Sequence, residues 1–165
     1  MTARRVAIIG SFRQHYAAVL AAHVSFKEAG LEITSPKGDP IITPGIDFVR
    51  FTSDPVLADD PMVQTIALHR ILRADFVYVV APNGYAGRTT CYEVGRVVQA
   101  GRPLYFSEQP NDLPLRIPSS HVLTARQVAE QVQKGDFRPT RIFGTTTDEY
   151  ARSEEDLLNG HYYEL

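Results

Sequence analysis

The stretch ADFVYVVAPNGYAGRTTCYEVGRVVQAGRPLYF, residues 74–106, decides the fold. Phe76 to Val80 is a run of β-branched and aromatic residues, the composition of a buried strand. Pro82 to Thr90 follows as a loop with two glycines, and Asn83-Gly84 favours a turn with positive φ. Thr90 to Ala100 then places Cys91, Val94 and Val98 at helical spacing toward a core, and Gly101 stops the helix. Pro103 to Phe106 reads as the next strand. A strand, a helix and a strand in this order form a βαβ unit, which implies a parallel sheet.

Working outward, Val6 to Ile9 is a short apolar run that ends in Gly10, as a buried strand would. Gln14 to Ala29 carries Tyr16, Val19, Leu20, His23, Val24 and Phe26 at helical spacing before Gly30. Leu31 to Thr34 is expected as a second strand. Residues 36–61 are dense in proline and read as a loop region with a short strand near Phe48 to Phe51. Pro61 opens a helix that runs to about Arg73. Ala125 to Gln133 is a further helix with Thr124 as its N-cap. Helices alternating with strands predict a single-domain α/β fold over residues 1–135. It is flavodoxin-like or Rossmann-like, a parallel sheet with helices on both faces. Residues 136–165 are expected as a C-terminal tail: a short helix on the body or on a neighbouring subunit, or a mobile segment.

Bulk composition narrows the function classes. The chain has 165 residues, 44% hydrophobic and 22% charged, ordinary for a globular domain. Net charge is −2 and no Lys/Arg cluster stands out, which argues against a nucleic-acid surface but leaves room for a small anion held by one or two arginines. The apolar runs are too short to span a membrane, and the N-terminal one reads as a first strand rather than a leader. A single Cys91 excludes an intramolecular disulfide and a cysteine-based metal site. His15, His23, His121 and His161 show no metal-ligand spacing. A cytoplasmic protein without a metal or organic cofactor is expected.

Two loops fall at the carboxyl ends of strands, where ligands bind in parallel sheets. The first is Gly10-Ser11-Phe12-Arg13-Gln14. Gly10 allows a tight turn, Ser11 and the amides after it start a helix, and Arg13 can hold a phosphate or carboxylate in a fork. The spacing is not a dinucleotide fingerprint. The second is residues 82–90, with Gly84, Tyr85, Gly87, Arg88 and Thr89. Gly87 permits close backbone approach to a ligand, and Tyr85 could stack or hydrogen-bond. Glu93 has two readings. Thr90-x-x-Glu93 fits a capping box. The same placement on a first helical turn would keep a carboxylate ionised and ready to attack an anomeric carbon.

The segment GYAGRTTCYEVGRVVQAGRPLYF, with Ala74-Asp75 before its strand, resembles the nucleoside 2-deoxyribosyltransferase-like superfamily: an AD-strand, a Gly-containing loop, a (Y/F)E(I/L/V)G helix and a G(K/R)P strand. The N-terminal GSFRQ is similar to the G-S/P-x-R loop of its nucleotide N-glycosidase branch. The resemblance spans roughly residues 4 to 135. It implies N-glycosidic bond chemistry on a nucleoside 5′-monophosphate or nucleoside. Glu93 would be the nucleophile, and Ser11, Arg13, Gly87 and Thr89 would lie near the 5′ end. It also implies a homodimer or higher oligomer whose neighbouring subunit completes the site. Two positions depart from the pattern. Ala7 stands where relatives carry a Tyr, and Ala67 where they carry an Asp. His69, two residues further on, could substitute, and Asp59 and Asp60 could reach the site from the loop ahead. The alternative expectation is a nucleotide-binding or sensor protein of the same fold, without turnover. Asp75 is expected to be structural, while Asp112 and Ser119-Ser120 fall where the family places contacts between subunits.

Overall fold

The computed structural model describes residues 3–37, 40–41, 50–51, 55, 59–145 and 147–164. The elements in chain order are β1 (Arg5–Gly10), α1 (Phe12–Glu28), β2 (Glu32–Ser35), β3 (Pro40–Ile41), β4 (Arg50–Phe51), α2 (Asp60–Leu72), β5 (Phe76–Val80), α3 (Arg88–Gln99), β6 (Leu104–Phe106), α4 (Ala125–Gln133) and α5 (Glu149–Leu158). Four strands form one all-parallel sheet in the order β2-β1-β5-β6. β3 and β4 pair antiparallel in a second, two-stranded sheet. Most of the proline-dense region expected as a loop lies outside the described residues, as does part of the strand expected near Phe48 to Phe51.

The sheet is covered on both faces, so its central strands are apolar throughout instead of alternating. All five residues of β5 are buried. Phe76, Tyr78 and Val80 join Val6, Ile8, Val19, Phe26 and Val128 in one core, under α1 and α4. Val77 and Val79 join Ala7, Ile9, Ile71, Val94 and Val97 in the other, under α2 and α3. The chain is therefore α/β with a flavodoxin/Rossmann-like arrangement. Asp75 ties the sheet's lower end: its Oδ2 accepts from the amides of Arg4 and Arg5, and its Oδ1 pairs with the Arg5 guanidinium at 2.9 Å.

The segment after residue 135 is integral to these cores. Phe137 is buried in the first, and Ile142, Phe143 and Ala151 in the second, with Tyr150 and Leu158 packed against it. The expected tail is thus a helix on the chain's own body. Asp148 caps α5 by accepting from the Ala151 amide. Among the described residues no helix is long and apolar enough to cross a membrane.

Strand order reverses between β1 and β5. From β1 the chain crosses through α1 to β2 on one side, and from β5 through α3 to β6 on the other. The loops leaving β1 and β5 therefore diverge, and a crevice opens between them. The two strands end very close together. A Cβ on Gly10 would lie 2.6 Å from the Val80 carbonyl oxygen, so glycine is required at that crossing.

Candidate active site

A cleft of about 630 Å³ occupies this crevice. Its walls are the β1 loop from Gly10 to Gln14, the segment from Tyr85 to Thr90, and the α2 residues Val63, Gln64, Ala67 and Arg70. Among the described residues, Glu93 is the one carboxylate that lines it, and three arginines, Arg13, Arg70 and Arg88, line it as well. The starts of α1 and α3 both open onto the cleft, and neither N-cap residue, Ser11 or Gly87, makes a side-chain cap. Two helix starts and three guanidinium groups give an anion-attracting rim.

Glu93 is 9% exposed, and its Oε1 accepts a hydrogen bond from Gln64 Nε2 at 2.9 Å. Burial pushes its carboxyl up to about 7, against the lowering effect of the Gln64 amide. The capping box and the first-turn placement expected for this residue are corrected. α3 starts at Arg88 behind Gly87, whose φ of 91° ends the loop earlier than the sequence suggests. Glu93 consequently sits in the second turn, bonded to α2 instead of capping its own helix. Burial is the dominant influence on its carboxyl.

The two loops are brought together as expected. Gly10, Ser11, Phe12, Arg13, Tyr85, Gly87, Arg88 and Thr89 all line the cleft. Tyr85 folds back over Gly87, its hydroxyl 3.6 Å from where a Cβ there would stand, and meets the His15 ring edge-on at a centroid distance of 5.9 Å. His15 has a non-helical backbone that breaks α1 after its first turn, and its Nε2 is buried without a hydrogen-bond partner.

Other assignments move. Gly84 is buried beneath the loop and off the cleft. Its carbonyl accepts from the Asn111 amide, and a Cβ would collide with the Gln109 carbonyl at 2.7 Å, so its role is in the turn. His69 is exposed on α2 and does not line the cleft, because Gln64, Ala67 and Arg70 form the inward stripe of that helix. Asp59 is the α2 N-cap, accepting from the Met62 amide. Ala7 is packed in the core, while Ala67 is at the cleft wall. Asp112 accepts from the amides of Ala86 and Gly87 within its own chain, so those two amides are engaged away from any ligand. Gln64 and Arg70 were missed in the sequence. Their only signal is the i, i+3, i+6 spacing with Ala67. No group of three or more His, Cys, Asp or Glu that could hold a metal ion occurs among the described residues. Compared with known proteins, the chain matches no family model and no curated sequence.

Proposed function

We propose that the chain breaks the N-glycosidic bond of a nucleoside 5′-monophosphate, with Glu93 as nucleophile. The observation that carries this is a buried carboxylate, the one lining the cleft among the described residues, held by Gln64 on a wall rimmed by two helix starts and Arg13, Arg70 and Arg88. The phosphate sits at the β1 loop, against Arg13 and the first turn of α1. The sugar reaches Glu93, whose ionised oxygen attacks C1′ as the bond to the base breaks. Water then attacks C1′ of the glycosyl ester, releasing the sugar phosphate and restoring the carboxylate. Transfer to a second base would use the same ester. No step requires a metal or an organic cofactor.

The test is release of free base from ribo- and deoxyribonucleoside monophosphates, followed by chromatography. Base release is expected in the wild type and absent in Glu93→Ala. Because attack needs the ionised form, the rate should climb as pH rises through about 7 and fade below it. A flat profile across that range, or full activity in Glu93→Ala, rules the mechanism out.

A second reading has its own support. Glu93 is joined in the cleft by no other Asp, Glu or His among the described residues, and Ala67 leaves that wall without an acid. A nucleotide-binding protein without turnover fits this. It predicts thermal stabilisation by a nucleotide that is never consumed.

A further inference from the structure

We propose that Asp112 is a positioning residue for this cleft: by clamping the amides of Ala86 and Gly87 it fixes where α3 begins, and with it where Glu93 stands. The inference rests on the reading of Glu93 as the working carboxylate. Segment 107–112, after β6, is bonded to the loop after β5 through Ser107, Glu108, Asn111 and Asp112. Ser107 Oγ accepts from the Ala81 amide at 2.8 Å, and Glu108 Oε2 accepts from the Asn83 amide at 3.0 Å. The Asn111 amide donates to the Gly84 carbonyl at 2.9 Å. These contacts hold the half of the loop next to β5.

Asp112 grips the half that enters α3. Its Oδ2 accepts from Gly87 N–H at 2.9 Å and from Ala86 N–H at 3.1 Å, and its Oδ1 accepts from Ala86 N–H at 3.0 Å. Gly87 is the N-cap of α3, and it lacks a side chain to cap with. The carboxylate therefore supplies from another loop the anchoring that a capping residue would give locally. Glu93 lies six residues on, in the same rigid helix. A shift of the helix start is carried to its carboxyl and to its bond with Gln64. Asp112 itself is exposed and is not a lining residue of the cleft, so it acts through the helix and not on a ligand.

The experiment follows the Glu93 carboxyl by carbon NMR of glutamate-labelled protein across pH, in wild type, Asp112→Ala and Asp112→Asn. The wild-type midpoint is expected at about 7. In Asp112→Ala the freed helix start admits water, and the midpoint should fall by about one pH unit toward the ordinary carboxylate range. Asp112→Asn keeps an oxygen that reaches both amides and drops only the charge, so its midpoint should stay near the wild-type value. An unchanged Asp112→Ala overturns the proposal. So does an Asp112→Asn shift as large as that of Asp112→Ala, which would make the effect one of charge. Should Asp112→Ala fail to fold, Asp112→Ser carries the same comparison. The titration needs no turnover. A shift without base release keeps the positioning role and removes the glycosidase reading, and base release without a shift does the reverse.

Discussion

Glu93 concentrates the tension between stability and use in this chain. A carboxyl held near 7 in the fold and near 4.5 when exposed binds its proton more tightly in the folded state. Stability from this group is then present at low pH and declines as pH rises from about 4.5 to about 7. Glu93→Gln keeps the shape and removes the ionisation. It should therefore be more stable than wild type at pH 8, by on the order of 3 kcal/mol, with the gap closing toward pH 4. Urea unfolding at the two pH values checks this, and parallel pH dependence in the two proteins would contradict it. That Glu93 falls on a helix after a Gly-containing loop was legible as a local pattern; its second-turn position, set by Gly87, was not. Nor was the upward shift of its carboxyl. That depends on Gln64 and on the packing of α2, which is distant in sequence and carries no local signal.

At the scale of elements, what could be read was what is locally determined. α4 begins where its sequence implies because Thr124 and Gln127 form a reciprocal capping box. Thr124→Ala should cost about 1 kcal/mol of stability, measured by thermal or urea unfolding, without changing ligand affinity. α3 starts two residues before its sequence expectation, because Gly87 at positive φ and the remote Asp112 set the helix start together. α5 was left open for a related reason. Its sequence EYARSEEDLL is mostly polar, and only Tyr150, Ala151 and Leu158 tell of the surface it covers. The strands were readable from composition because a doubly covered parallel sheet leaves continuous apolar runs.

For the whole molecule, the order β2-β1-β5-β6 makes the cleft a by-product of topology: where crossovers diverge, two helix starts are left facing one gap. The boundary expected at residue 135 does not divide the cores, since Phe137, Ile142 and Phe143 are each at most 3% exposed. A chain ending at residue 135 should lose on the order of 5 kcal/mol of apolar burial, a large part of a typical domain's stability. It is expected to show no cooperative melting transition by circular dichroism, whereas a well-resolved transition near that of the full chain would make the segment dispensable. The brace between the two loops has one more consequence. Cys91, the single cysteine, is half-buried with its Sγ 3.6 Å from the Asp112 carbonyl oxygen. The molecule thus carries one thiol on α3, the helix that forms one wall of the cleft. A small fluorinated tag attached there would act as a native gauge of that wall's movements, with no residue added or removed.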